Sequence, residues 1–266
     1  MGGVKDERLS CHRGHRVHRV NELKIFLFSV NSVCSVAYSN NKPLRSIRSY
    51  VRREGRITPA QQRALKDLWP RYGVEAGGAL LDFAAVFGRR APVILEIGFG
   101  NGDALVAESA AHPENNYIGI EVHRPGVGNL LRKLESLELK NVRVMLADAK
   151  EVLAAQIPEA SLSGVHLFFP DPWPKKRHHK RRLVQPDFAA LVMRKLVPGG
   201  YIHLATDWKD YAEHMVSVLS RTPELVEVSG LDRFTTMIAS RGQTRFEQRG
   251  RKLGNQIWDL VFQRTM

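Results

Sequence analysis

The sequence predicts an α/β fold with a mostly parallel, seven-stranded sheet and helices on both of its faces. From residue 92 onward, short apolar segments alternate with segments of helical periodicity, which is the pattern of a parallel sheet with crossover helices. A glycine-rich stretch lies where the first strand meets its helix, and two late apolar segments follow the last crossover. The length of 266 residues suits one such domain with appendages.

The elements follow in order along the chain. Thr58 followed by Pro59 is typical of an N-cap and first helical residue, so we expect a helix over 59–68 that ends before Pro70. The five predicted parallel strands are 93–97, 116–121, 142–146, 165–169 and 201–205. The predicted helices between or after them are 103–111, 128–137, 150–155, 186–196 and 209–220. The late segments 225–229 and 258–263 would close the sheet as an antiparallel pair, which makes the final strand antiparallel.

The chain divides into three parts by composition. Residues 1–42 combine a basic stretch with an apolar patch that is too short and too polar for a membrane span, and that only poorly resembles a signal peptide. We expect this extension to be disordered or loosely packed, and it could come from an upstream start codon. Residues 43–90 form a basic arm and leading helices, and 91–266 form the α/β domain.

Charge and cysteine content narrow the class of protein. The net charge is +13, and residues 1–56 contribute 12 Lys and Arg against 4 Asp and Glu, or +8 of that total. Such an excess favours a polyanionic partner, either a nucleic acid or an anionic membrane surface. Cys11 and Cys34 are the only cysteines and form no CxxC motif, so we expect no disulfide framework, no structural zinc and a reducing, cytoplasmic location.

The glycine-rich stretch identifies the class of cofactor. Glycines at such a turn let the backbone approach a ligand closely. A dinucleotide fingerprint that starts at Gly98 needs a small third residue, whereas Asp103 stands there and would repel a pyrophosphate. The pattern Glu-x-Gly-x-Gly-x-Gly over 96–102 instead resembles motif I of class I methyltransferases, which implies their Rossmann-like fold. Their cofactor, S-adenosyl-L-methionine, is cationic at sulfur and suits acidic surroundings.

Three acids follow three consecutive strands. Glu96 could face the ammonium or sulfonium of the cofactor, Glu121 the ribose hydroxyls, and Asp148 the adenine amine. Each acid alone could instead be a helix N-cap. Together they stand at the carboxyl ends of parallel strands, where ligands bind in open α/β sheets.

A second motif follows the fourth strand. Asp171 stands between Pro170 and Pro172, which restrict its backbone. Residues 175–182 hold six Lys or Arg among eight, so they form either a clamp for phosphates or a solvated basic loop. Trp173 would either stack on an exposed base or pack beneath the loop.

Taken together, these motifs resemble the bacterial tRNA (guanine-N7-)-methyltransferase family over residues 43–264. That family methylates N7 of a guanine, at position 46 in the tRNA variable loop, and releases S-adenosyl-L-homocysteine. The segments that carry the resemblance are Arg45–Arg53, Gly119–His123, Phe168–Trp173 with the basic run after it, Ala205–Trp208 and Thr244–Gly250.

The resemblance implies a role for each matching residue. Asp171 would be the catalytic residue, and residues 91–266 the catalytic domain. The cofactor-binding residues would be Glu96, Gly98, Gly100, Glu121, Asp148 and Asp171. The substrate-binding residues would be Lys175, Asp207, Thr244, Arg245, Phe246 and Glu247. The RNA-binding residues would be Arg177, His178, His179, Lys180, Arg181 and Arg182. Here Pro174 stands directly before Lys175 and alters how far that lysine reaches.

The chemistry agrees with this set of acids. Guanine N7 carries no proton, so its methylation needs no general base, and carboxylates such as Asp171 and Asp207 can hold the guanine edge while positive charge develops. After Asp171 the motif has one proline where amino-group methyltransferases have two in succession, and no cysteine lies beyond Cys34 to act as the nucleophile of a cytosine C5 enzyme. We expect tRNA as the partner, no metal, no membrane, and a monomer or homodimer. The alternatives are a methyltransferase for a small molecule or protein, and a non-catalytic RNA-binding protein.

Overall fold

The computed structural model describes residues 49–50, 55–231, 235, 237–239 and 241–266. The extension 1–42, both cysteines, and residues 43–48 and 51–54 of the basic arm lie outside the described residues. Among the described residues, none of the helices has the length and apolar character needed to span a bilayer.

The described residues form one seven-stranded sheet with strand order β3-β2-β1-β4-β5-β7-β6. Strands β1 to β5 pair in parallel, and β7 lies antiparallel to both β5 and β6. The predicted fold, with its antiparallel final strand, is confirmed. The strands are β1 (Val93–Ile97), β2 (Asn116–Glu121), β3 (Val142–Leu146), β4 (Leu162–Phe168), β5 (Leu196–Thr206), β6 (Leu225–Glu227) and β7 (Trp258–Arg264).

The helices cover both faces of this sheet. The predicted cap at Thr58 is confirmed, and its hydroxyl accepts from the Gln61 amide in a capping box. Three short elements of the leading and middle regions, and the last helix, were not predicted. The helices are α1 (Pro59–Asp67), α2 (Trp69–Tyr72), α3 (Phe83–Phe87), α4 (Asp103–Ala111), α5 (Arg124–Ser136), α6 (Ala149–Ala155), a 3₁₀ helix (Lys176–Arg181), α7 (Pro186–Lys195), α8 (Lys209–Leu219) and α9 (Arg245–Lys252).

Several boundaries differ from the prediction for physical reasons. Helix α5 begins at Arg124 rather than at residue 128. Its glycines, Gly126 and Gly128, do not mark a loop, because close packing of the helix requires them. A Cβ on Gly126 would lie 2.1 Å from the Gly100 carbonyl oxygen, and one on Gly128 would lie 2.8 Å from the Gln61 Cβ. Strand β5 begins at Leu196, directly after α7, and runs through Gly199 and Gly200, whereas the predicted strand began at residue 201.

The two faces of the sheet are packed differently. One face carries the larger apolar core, in which Leu95, Val165 and Phe262 pack with residues such as Phe188 of α7 and Met215 of α8. The other face is covered by α1, α2, α4 and α5, and it also buries polar side chains of β1, β4 and β5. The loops at the carboxyl ends of the parallel strands lie between these layers of helices and are free to form a binding site.

Candidate active site

The turn between β1 and α4 is built from three glycines in the left-handed region of backbone conformation. Their φ values are 73° at Gly98, 58° at Gly100 and 74° at Gly102, which is the N-cap residue of α4. Only glycine adopts this conformation without a steric penalty. A Cβ on Gly98 or Gly100 would meet nothing within 4 Å, so both residues face open space. The turn therefore presents bare backbone to a ligand.

That open space is part of a cavity of about 1060 Å³ at the carboxyl edge of the sheet. Three predicted acids, two of the three glycines of the turn and one residue of the last helix line it. The site residues predicted from the sequence that it brings together are Gly98, Gly100, Glu121, Asp148, Asp171 and Phe246. Residues of the arm, including Ser49 and Tyr50, also line it. The wall is thus acidic on the side of β2, β3 and β4.

Glu121 and Asp148 combine the two roles that the sequence left open. Glu121 accepts hydrogen bonds from the backbone N–H groups of Gly100 (2.9 Å), Val122 (2.6 Å) and His123 (2.9 Å), so its carboxylate braces the glycine turn. Asp148 is the N-cap of α6 and accepts from the Lys150 N–H at 2.9 Å. Both acids also line the cavity. Backbone donors therefore fix each carboxylate at the cavity wall.

Glu96 is placed differently from the other predicted acids. Its side chain is 2% exposed and does not belong to the cavity lining. Burial, then the nearby Glu108 and Glu121 carboxyls, raise the pKa of Glu96 to about 8. Its Oε2 atom has no hydrogen-bond partner among the described residues. An acid in these surroundings gains stabilisation from any cationic group that approaches it.

Asp171 lies in a loop that its neighbours hold in an unusual conformation. Phe169 and Trp173 have φ values of 53° and 45°, a region that non-glycine residues rarely adopt and that is enriched at functional sites. Asp171 is exposed and lines the cavity. Arg182 is 2% exposed, and its Nε donates to the Pro172 carbonyl at 2.9 Å. Its guanidinium also donates to Asp210 and lies 4.9 Å from the centre of the Tyr211 ring.

The basic run after Asp171 therefore has two kinds of cation. Arg182, which we expected to contact RNA, is buried and anchors the Asp171 loop from within. Lys175, Lys176, Arg177 and Lys180 are exposed, while His178, His179 and Arg181 are partly exposed. Lys175 is the N-cap of the 3₁₀ helix and the others form that helix, beside the cavity but outside its lining.

Trp173 packs beneath this 3₁₀ helix. The Arg181 guanidinium lies 5.0 Å from its ring centroid, and His178 contacts it edge-on at 5.8 Å. Its Nε1 donates to the Ser49 carbonyl at 3.0 Å. Trp173 therefore packs beneath the loop, as one of the two expectations had it, and it also lines the cavity.

The segment 244–247 starts α9 and is divided between the cavity and the protein interior. Thr244 is the N-cap of α9 and accepts from the Glu247 N–H at 3.1 Å. Phe246 is 62% exposed and lines the cavity, while Arg245 lies 3.4 Å from the Asp103 carboxylate. Glu247 is 2% exposed and points inward. Only one of these four side chains therefore faces the cavity.

Sequence reasoning missed Arg241, which receives the inward-pointing Glu247. Arg241 donates to Glu247 at 2.5 Å and to both Asp259 oxygens at 2.7 and 3.1 Å. Its guanidinium also lies 5.2 and 5.9 Å from the ring centres of Phe168 and Phe169. A single arginine in a polar stretch carries no sequence signal for burial. In the fold it joins β7, α9 and the strand that leads to Asp171.

Asp207 and Lys175 lie outside the cavity lining. Asp207 accepts from the Asn255 side chain at 3.1 Å and packs against Gly250 of α9. Within the described part of the chain, no cluster of three or more His, Cys, Asp or Glu side chains could hold a metal ion.

The sequence is similar to those of known methyltransferases. A family model described as "Putative methyltransferase" matches residues 90–260. The chain is 59% identical to a tRNA (guanine-N(7)-)-methyltransferase of Alkalilimnicola ehrlichii over 83% of this chain and 93% of that protein. It is 54% identical to one of Klebsiella pneumoniae over 88% of this chain and 99% of that protein. A solved 16S rRNA methyltransferase is 13% identical with a TM-score of 0.49, over 71% and 96% of the two chains.

Proposed function

The chain belongs to the tRNA (guanine-N(7)-)-methyltransferase family, and from this premise we propose that it transfers a methyl group from S-adenosyl-L-methionine to N7 of a guanine in tRNA. By its family resemblance that guanine is position 46 of the variable loop, and the product is 7-methylguanosine. The enzyme would act in the cytoplasm, as a monomer or a homodimer. The observation that carries the proposal is the acid-lined cavity at the carboxyl edge of the sheet, with bare glycine backbone on one side and Asp171 on another.

The residues present fit S-adenosyl-L-methionine. A cavity of about 1060 Å³ is at the upper end of the usual range for small-molecule sites, roughly 300–1000 Å³, and leaves room for a base beside the cofactor. Gly98, Gly100, Glu121, Asp148 and Asp171 line it and would hold the cofactor, which supplies a methyl group on a positively charged sulfur. Glu96 would act from beneath the turn, where its unpartnered buried oxygen suits a nearby cation.

Asp171 is the residue best placed to hold the guanine. Guanine N7 attacks through a lone pair and loses no proton, so the protein has to position the purine and stabilise its developing positive charge. A carboxylate at Asp171 can accept from the N1–H and exocyclic amine of guanine while it remains ionised. The two prolines that flank it and the bond from Arg182 to Pro172 restrict the loop. Asp171 thus works by positioning and charge rather than as a base.

The remaining predicted residues divide by where their side chains lie. Phe246 faces the cavity and would contact the guanine, while Lys175, Asp207, Thr244 and Arg245 would contact the substrate around the cavity mouth. Glu247 would support substrate binding indirectly, because its carboxylate holds Arg241. Arg177 to Arg181 would contact tRNA phosphates, and Arg182 would hold the loop that carries them.

Transfer of a labelled methyl group to tRNA that lacks 7-methylguanosine tests this function, followed by nucleoside analysis of the product. We expect label in 7-methylguanosine, and no label in a matched tRNA whose position 46 is adenosine. Label in another nucleoside would keep the fold and cofactor but reject the N7 assignment. Binding of S-adenosyl-L-methionine with no transfer to any tRNA would reject tRNA as the substrate.

A further inference from the structure

Among the described residues, helix α9 is held in place mainly by polar contacts. Its one large apolar side chain, Phe246, is 62% exposed, so burial of apolar surface does not explain the position of the helix. Instead, Glu247 pairs with the buried Arg241 at 2.5 Å, and Thr244 caps the first turn. Gly250 lies against Asp207, where a Cβ would be 3.1 Å from the carboxylate oxygen. These polar anchors fix one side of α9 and leave the other side exposed.

The exposed side of α9 is a stripe of positive charge. Arg245, Arg249 and Lys252 have the i, i+4, i+7 spacing that places side chains on one helix face, and all three are exposed. Within the described part of the chain, the side chains of Arg249 and Lys252 form no ion pair. Like charges at i, i+4 disfavour a helix in isolation. A stripe of one sign on an anchored helix, with Arg249 and Lys252 left unpaired, is suited to a polyanion.

The position of this stripe relates it to the cavity. Phe246 follows Arg245 in the first turn of α9 and lines the cavity. Trp173, which also lines it, is covered by Arg181 of the 3₁₀ helix. The 3₁₀ helix and α9 are both basic, and each adjoins the cavity beside one aromatic residue, Trp173 and Phe246 respectively. An RNA strand that places one base in the cavity would pass beside both the 3₁₀ helix and α9.

We propose that the stripe Arg245, Arg249 and Lys252 on α9 is a second phosphate-binding surface for the tRNA substrate, separate from the basic 3₁₀ helix. This inference rests on the proposed function. Extrusion of a stacked base loses its stacking and pairing interactions. Phosphate contacts at two places beside the extruded nucleotide hold the backbone without reading its sequence and help to offset that cost. The anchors at Glu247 and Gly250 give the surface a fixed position relative to the cavity.

The double variant R249Q/K252Q tests the surface and leaves Arg245 with its Asp103 contact. We expect the KM for tRNA to rise about fivefold or more at moderate salt, with kcat within about twofold of wild type, because removing a phosphate-binding cation weakens binding of all sequences alike. The slope of log K for tRNA binding against log salt should become shallower by roughly 0.7–0.9 for each phosphate that is no longer neutralised, or about 1.5 in all. Calorimetric affinity for S-adenosyl-L-methionine and the melting temperature should stay at the wild-type values.

The matched control is R90Q/K140Q, which also removes two positive charges. Arg90 precedes β1 and Lys140 precedes β3, so both lie at the amino ends of the parallel strands, away from the cavity. It should keep the wild-type slope and KM. The variant R249K/K252R keeps both positive charges and should therefore keep the wild-type salt slope. If its slope fell as much as that of R249Q/K252Q, the effect would come from altered helix packing, and the inference would be overturned.

An unchanged slope and KM in R249Q/K252Q, or an equal reduction in the control, would overturn the inference and leave the proposed function intact. If the wild-type protein itself transfers no methyl group to tRNA, the proposed function fails and the inference fails with it.

Discussion

Arg241 and Glu247 form a buried ion pair with 2.5 Å between Nη1 and Oε2, and both side chains are almost completely removed from solvent. The same guanidinium binds Asp259 of β7, which also contacts His203 of β5 at 2.9 Å. Burial alone would raise the pKa of Asp259, but its hydrogen bonds with His203 and Arg241 lower it below the usual range. The start of α9 is thus tied to the middle of the sheet through charge rather than through apolar packing.

Replacement of Arg241 by methionine should destabilise the protein strongly. It removes the buried cation from the carboxylates of Glu247 and Asp259, and among the described residues Glu247 keeps only the exposed Arg251, at 2.8 Å. Loss of one partner of a buried ion pair typically costs about 3–5 kcal/mol. Urea unfolding at constant pH would measure the destabilisation. The exposed pair Lys209–Glu213 offers a control, because K209Q should cost only about 0–1 kcal/mol. Equal destabilisation of the two variants would show that burial does not increase the contribution of the Arg241–Glu247 pair to stability.

Replacement of Asp171 by alanine should abolish most turnover while the fold survives. Asp171 is exposed, so its removal leaves no cavity in the core and the melting temperature should change little. Removal of one fixed electrostatic interaction in an active site typically lowers kcat by about 10²–10³. Single-turnover methyl transfer would measure this, with D67N, on the exposed end of α1, as the control. A kcat for D171A within a few-fold of wild type would remove Asp171 from the active site.

Much of this site could be predicted from the sequence because its backbone signals are local. The bounds of β2 and β3 and the cap at Thr58 are observed where they were predicted, since periodicity and capping depend on near neighbours. Helix α9 was not predicted, because its residues are nearly all polar and long-range ion pairs hold it. The inward direction of Glu247 depends on Arg241 for the same reason. The placement of Glu96 behind the turn rather than in the cavity also depends on packing across the sheet.

The raised pKa of Glu96 predicts a specific pH dependence. Because burial raises the pKa of Glu96 from 4.5 to about 8, the folded state binds a proton that the unfolded state releases between these values. The contribution of Glu96 to stability is therefore complete below about pH 4.5 and is lost as the pH rises toward and beyond 8. E96Q keeps a neutral group at every pH, so its free energy of unfolding relative to wild type should rise between pH 5 and 8, by up to a few kcal/mol.

Denaturant unfolding of wild type and E96Q at several pH values between 5 and 8 would measure this difference. The comparison cancels the contributions of His166 and His203, whose pKa values burial lowers in both proteins. A constant difference across the range would show that Glu96 is already ionised in the folded protein. In wild type, cofactor affinity should also increase with pH up to about 8 if the ionised acid faces a cation, and E96Q should lack this increase.

The basic run after Asp171 contains one buried cation and several exposed ones, and paired variants can test whether their roles differ. Arg182 and Lys180 have the same charge and are two residues apart, so the sequence treats them alike, but Arg182 is 2% exposed and Lys180 is exposed. R182Q removes the bonds to the Pro172 carbonyl and to Asp210, and should cost roughly 1–3 kcal/mol of stability. It should also lower kcat, because Pro172 adjoins Asp171.

K180Q should leave stability and kcat unchanged, raise the KM for tRNA and reduce the salt dependence of binding by roughly 0.7–0.9 in slope. Thermal melting, kcat and tRNA binding measured on both variants would check the division. If R182Q changed only the salt dependence, the Arg182 guanidinium of the wild-type protein would have to reach a phosphate. Its buried contact with Pro172 could then not be what holds the Asp171 loop. If K180Q lowered stability as much as R182Q, exposure within the 3₁₀ helix would not separate the two roles.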